Sequence, residues 1–222
     1  KCKYATWNPP LSEPCPKCGW PILTIKITKR RGTEKVCPQK ECGFVEQSLQ
    51  HFKTYGERYS FDYLMMAAQG CQESRLNQAA KSPVGAVGIM QLMPATGAEM
   101  KVGDIRQAEP NVHAGIKYMR QLIDVYFDDA DFDETNRTLF AFAAYNAGPG
   151  RIARLRKEAE REGLDPDQWF NNVELIAAKR VGQETVGYVR NIFKYYVAYK
   201  LQLETLATRR SLLQQGGMPG MK

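Results

Sequence analysis

Apolar residues recur at helical spacing through most of this chain. Phe61, Leu64, Met65 and Ala68 define one face of a helix with Ser60 as N-cap, ending near Glu73-Ser74-Arg75. A loop carrying Pro83, Gly85 and Gly88 follows, then the run Ile89-Met90-Gln91-Leu92-Met93-Pro94, where Pro94 suits the first turn of a short helix. Glu109-Pro110-Asn111 predicts another start, with Asn111 as N-cap and Val112, Ile116, Met119, Leu122, Ile123 and Tyr126 as the buried stripe. Residues 128–133 read as a solvated acidic linker, without the glycine and distal Glu of a calcium loop. Residues 138–145 are apolar nearly all round, which predicts a central helix stopped by Asn146-Ala147-Gly148-Pro149-Gly150. A charged amphipathic helix over 151–162 turns Ile152, Leu155 and Ala159 inward, and Asp165-Pro166 opens a further element. A long helix over 184–203 points Val186, Val189, Phe193, Val197 and Leu201 to the core.

The period changes near the N-terminus. Residues 22–29 alternate as a strand, 29–32 form a turn, and 47–57 read as a polar joint with a short helix. The expected organisation is a small β module over 1–47, a mainly α domain over 48–206 and a frayed tail over 207–222.

Composition separates the same two parts. The chain is 43% hydrophobic and 25% charged, ordinary for a soluble globular protein, with no apolar run approaching the ~20 residues of a membrane span. No secretory signal is visible, and a first residue of Lys1 leaves room for an upstream start. The formal charge is +7, but residues 1–50 hold nine Lys/Arg against four Asp/Glu, leaving 22 against 20 elsewhere. The basic surplus therefore belongs mainly to the small module and suits an anionic partner or plain solubility.

Five of the six cysteines also lie there. Cys15, Cys18, Cys37 and Cys42 follow the spacing C-x2-C-x18-C-x4-C, which predicts a four-cysteine ribbon folded around a structural zinc ion. Two disulfides are the alternative. Cys2-Lys3-Tyr4-Ala5-Thr6-Trp7, followed by this ribbon, resembles the C-terminal zinc-finger region of bacterial type IA DNA topoisomerases. In that resemblance Cys2 is the last ligand of a preceding finger, and residues 1–47 would contact single-stranded DNA. Tyr4, Trp7, Trp20 and Phe44 among basic residues fit base stacking, or equally a small core.

Glu73 is the candidate general acid. A carboxyl at the end of an apolar helix, facing a glycine-bearing loop, can hold its proton near neutral pH because burial disfavours the charged form. Taken alone, a Glu at a helix end is more often a solvated surface residue. The order Gln72-Glu73-Ser74, Gly88-Ile89-Met90-Gln91-Leu92-Met93-Pro94, Ala144-Tyr145-Asn146-Ala147-Gly148, then Glu184 with Tyr188-Val189, closely resembles the soluble-type lytic transglycosylases over about residues 52–203. That resemblance implies a lysozyme-like α-helical domain cleaving the bond between N-acetylmuramic acid and N-acetylglucosamine in peptidoglycan, with no cofactor for catalysis. Glu73 would be the sole acid/base. Ser74 would orient the site, Met90 and Gln91 would line the glycan groove, and Tyr145 and Asn146 would contact the sugar. Tyr188 would hydrogen-bond near the acid, with Glu184 as its motif partner.

Residues 74–98 contain no Asp or Glu, so a nucleophile carboxylate on the adjoining loop is lacking, although Glu109 or Glu184 could approach in space. A goose-type-like hydrolase is the alternative enzyme. A nucleic-acid-binding ribbon carrying an inactive passenger domain is the alternative outside enzymes. The catalytic domain would belong in the cell envelope or periplasm, whereas the ribbon favours the cytoplasm. His51 and His113 have no ligand-spaced partners and read as surface or structural residues, and Cys71 as a buried apolar thiol.

Overall fold

The computed structural model describes residues 10–11, 14–15, 18–28, 32–39, 45–46 and 48–215. Four short strands, β1 (Pro10–Leu11), β2 (Leu23–Thr28), β3 (Gly32–Val36) and β4 (Val45–Glu46), form an antiparallel sheet in sequence order, with Thr24 opposite Val36 and Thr28 opposite Gly32. Helices follow: α1 (Ser48–Tyr59), α2 (Tyr63–Ser74), α3 (Pro94–Met100), α4 (Ala108–Tyr126), α5 (Glu134–Ala147), α6 (Pro149–Arg161), α7 (Glu174–Arg180) and α8 (Gln183–Gln215), with a kinked π-type turn over Trp169–Val173. The mainly α expectation therefore holds. Cys2, Tyr4, Trp7, Cys42 and Phe44 lie outside the described residues. No helix among the described residues is long and apolar enough to cross a membrane.

Helix α5 is the axis of the core. Its residues Leu139, Phe140, Ala141, Phe142, Ala143 and Ala144 are all buried. The three alanines let neighbouring helices approach closely, and α4, α6 and α8 pack around it. Phe140 meets the fully buried Trp169 edge to face, at a centroid distance of 5.6 Å. Helix α2 packs against α1 and α8 and is buried from Leu64 to Gly70, so its last turn is the part open to solvent. Burial along its length fixes where Glu73 emerges.

Several boundaries differ from expectation. Ser60 occupies a left-handed turn (φ 58°), and Asp62 caps α2 instead, accepting a hydrogen bond from Leu64 N at 2.7 Å. Helix α4 starts at Ala108, so Asn111 sits inside it and is fully buried. The acidic linker is only partly solvated: Asp129 pairs with Arg156 at 2.8 Å, and Asp133 caps α5 through Asn136 N at 2.6 Å. In α8, Val186 and Val189 are core residues, but Val197 and Leu201 are 40% and 57% exposed, because steps of four drift off the inward face, which Val189, Ile192, Tyr196 and Tyr199 hold. The helix continues to Gln215, past the point where a frayed tail is expected. His113 is half-buried, stacked on Tyr55 at 4.0 Å and bonded through Nε2 to Tyr59 OH at 2.9 Å, which makes it structural.

Candidate active site

Helix α2 stops because Arg75 and Leu76 both take left-handed backbone angles (φ 56° and 61°). That stop leaves Glu73 on the final turn, half-buried. Tyr188 of α8 donates a hydrogen bond from its hydroxyl to Glu73 Oε1 at 2.5 Å. Burial pushes the Glu73 carboxyl up to about 7, and the Tyr188 bond offsets part of that rise. Burial, reinforced by the nearby Glu73 charge, raises the Tyr188 and Tyr145 phenols well above their ordinary range. Both tyrosines are therefore hydrogen-bond donors here, not bases.

Ser74 ties the helix end to the loop. Its hydroxyl stands 2.8 Å from Ile89 O and 3.3 Å from Gly70 O, both acceptors, and itself accepts from Asn77 N at 3.1 Å. Tyr145 OH donates to Met90 O at 2.7 Å. The loop is clamped from below by buried Asn111, whose Oδ1 accepts from Met90 N at 2.8 Å and whose Nδ2 donates to Val87 O and Ile105 O at 3.0 and 2.9 Å. Gln78 adds a second clamp, donating to Ile105 O at 3.0 Å and accepting from Ile89 N at 3.3 Å. Three helices thus fix one short loop against the acid.

The sequence-predicted residues fare differently. Glu73, Ser74, Tyr145 and Tyr188 are joined by these bonds into one site. Met90 is fully buried with its side chain facing Gly115, so its carbonyl, not its side chain, serves the site; Met93, 44% exposed, is the methionine at the surface. Gln91 takes a left-handed angle (φ 46°) and spends its amide on Gly88 O at 2.9 Å and Ala80 O at 3.4 Å. Asn146 is exposed, and its Oδ1 accepts from Thr185 Oγ1 at 2.9 Å. Glu184 is exposed on α8. Its neighbour Thr185, which sequence reasoning passed over, is the residue that reaches the site, since it is buried on the inward face. Glu109, the other carboxylate considered, accepts a hydrogen bond from Tyr55 OH.

In the small module, the thiol sulfurs of Cys15, Cys18 and Cys37 lie within 4.8 Å of one another, and Cys18 Sγ is 3.6 Å from Cys37 Sγ. Tetrahedral zinc with bonds of about 2.3 Å holds its sulfurs ~3.8 Å apart, so these three residues fit as ligands. Cys42, the expected fourth, lies outside the described residues.

Known proteins share this architecture. The family described as the transglycosylase SLT domain matches residues 50–167. The membrane-bound lytic murein transglycosylase F of Pseudomonas fluorescens is 34% identical over 160 residues, covering 66% of this chain and 32% of its own. Its counterpart in Pasteurella multocida is 36% identical over 166 residues, covering 68% and 33%. Among solved structures, an inactive variant of the lytic transglycosylase Slt of Pseudomonas aeruginosa aligns with a TM-score of 0.55 at 26% identity, covering 70% of this chain and 24% of that one. The 70 kDa soluble lytic transglycosylase of Escherichia coli gives 0.53 at 26% identity, covering 69% and 24%. The lysozyme-like helical fold expected from the motifs is thus the fold found, and the chain spans about a third of the length of the curated relatives it matches. A match over more than half of its residues means that this chain belongs to the transglycosylase SLT domain family.

Proposed function

We propose that this protein is a peptidoglycan lytic transglycosylase. It cleaves the β-1,4 bond between N-acetylmuramic acid and N-acetylglucosamine and leaves a 1,6-anhydromuramic end. The observation that carries this is a lone carboxyl, Glu73, raised to about 7 by burial and held by Tyr188, where the other two candidate carboxylates are engaged by Tyr55 or exposed on α8. Protonated Glu73 gives its proton to the glycosidic oxygen as that bond breaks. The substrate's own acetamido carbonyl stabilises the electron-poor anomeric carbon, the work a second carboxylate does in most glycosidases. Glu73, now a carboxylate, removes the proton from the muramic 6-hydroxyl, and that oxygen closes the anhydro ring. The acid is regenerated and no water is consumed.

Within this scheme Ser74 and Tyr145 hold the loop, Asn146 and Gln91 face the glycan, and Glu184 stands at the rim of the α8 face. The substrate places the catalytic domain in the cell envelope. Incubation of the protein with purified peptidoglycan tests the proposal: soluble muropeptides appear, and their absence refutes it.

The first step needs protonated Glu73, whose value is raised to about 7. Turnover should therefore be high below neutrality and fall as pH rises through about 7. A kcat/KM profile flat to pH 9 would contradict the assignment of the acid.

The cysteine cluster is a structural zinc site in this reading, completed by Cys42, and contributes stability rather than chemistry. Metal analysis of the purified protein should find one zinc per chain. A chelator should loosen the β1–β4 sheet without changing the intrinsic rate of glycan cleavage.

A further inference from the structure

Gln69 lies one helical turn before Glu73 on α2 and is fully buried. Its Nε2 is 3.3 Å from Tyr188 OH, while its Oε1 has no hydrogen-bond partner. An orphaned amide oxygen in the core is a cost that packing alone gives no reason to keep. The phenol explains it. Tyr188 has one hydroxyl hydrogen, and that hydrogen goes to Glu73 at 2.5 Å. The Gln69 atom facing the phenol oxygen must then be a donor, which turns the amide oxygen away into apolar surroundings. Were the amide turned to accept from Tyr188 instead, it would take the hydrogen away from the acid.

We propose that Gln69 is a positioning residue that fixes the direction of the Tyr188 hydrogen bond onto Glu73. Its N–H pulls on the phenol oxygen and makes the O–H a stronger donor, the mutual polarisation expected in a chain of hydrogen bonds. The same N–H bond lowers the phenol's own affinity for its proton, in the direction this requires. The chain Gln69–Tyr188–Glu73 thereby favours the carboxylate that the ring-closing step uses as base, against the burial that favours the acid. Other groups facing this end of α2 are Tyr145 from α5 and Tyr199 from α8, the latter against Cys71; Arg75 and Glu184 are exposed. The inference rests on the reading of Glu73 as acid/base, but its test does not require turnover.

The test follows the Glu73 carboxyl by 13C NMR in the full chain through a pH titration. It compares the wild type with Gln69→Met, Tyr188→Phe and the double variant. Gln69→Met should raise the Glu73 midpoint by roughly half a pH unit. Added to Tyr188→Phe, it should produce no further rise, because its only route is through the phenol. An unchanged midpoint in Gln69→Met, or the same rise in the Tyr188→Phe background, overturns the proposal. Methionine fills the site without an orphaned oxygen, so the melting temperature should hold or increase; a collapse in Gln69→Met and Gln69→Leu alike would mean the amide is structural and would overturn it too. Muropeptide release, lost in Glu73→Gln, judges the catalytic reading separately.

Discussion

Glu73→Gln should abolish muropeptide release, by about 10³-fold or more, and leave the protein folded. Glutamine keeps the shape and can still accept the Tyr188 hydrogen bond, but it has no proton to give and takes none back. The same substitution should alter stability in a pH-dependent way. Glu73 titrates near 4.5 unfolded and about 7 folded, so the unfolded chain releases this proton first. Its contribution is fully present below about 4.5 and is lost as pH rises through about 7. At pH 8 the wild type therefore carries a buried charge that Glu73→Gln lacks, and the variant should be more stable there by about 2–3 kcal/mol, with little difference at pH 4. A dead enzyme that melts higher at pH 8 is the signature of a strained acid. Equal melting temperatures at both pH values would argue that the carboxyl is solvated.

The second large effect is expected at Gly88. Its backbone is left-handed (φ 80°), and a Cβ there would lie 2.2 Å from Asn111 Nδ2 and 2.7 Å from Gln78 Nε2. Both amides are bound to the loop they clamp, so neither can yield without releasing Met90 N, Val87 O or Ile105 O. Gly88→Ala should cost about 3 kcal/mol, a drop of roughly 6–12 °C in melting temperature for a domain of this size. Activity should fall at least tenfold, since the displaced Ile89 and Met90 carbonyls are the anchors of Ser74 and Tyr145. Gly85→Ala is the control: its angle is also positive (φ 94°) but nothing lies within 4 Å, so only the backbone strain of about 1 kcal/mol remains. Equal losses at the two glycines would mean that the clamp does not matter.

How far the residues alone led differs from one position to the next. Glu73, Ser74, Tyr145 and Tyr188 were legible because four short motifs occur in a fixed order, and the helix break after Glu73 makes the rest of the geometry follow. The central helix was legible because a run apolar on all sides can only be buried. Glu-Pro-Asn looks like a helix start, which points to Asn111 as a cap, yet the helix begins three residues earlier. Only the tertiary fold sets Met90 N and Val87 O of the loop, and Ile105 O before α4, around the Asn111 amide. Ser60 and Asp62 are equally good caps by type, and a left-handed turn at Ser60 decided between them. Met90 reads as a groove residue because motif membership does not say which atoms are presented; the side chain packs on Gly115 and the carbonyl accepts from Tyr145. Gln69 and Thr185 leave no local signal, since a polar residue inside an apolar stripe shows its purpose only when its partner, 119 or 39 positions away, is known. On α8 the inward face runs through Ile192, Tyr196 and Tyr199, so a stripe read in steps of four slides off it by Val197.

The measurement that bears most directly on a lone buried acid acting without water is the mass of what is released from purified peptidoglycan. Every new muramic end should carry the 1,6-anhydro ring and weigh one water less than the hydrolysed sugar. Products bearing reducing muramic ends would instead mean that a water molecule, activated by some other group, completes the reaction.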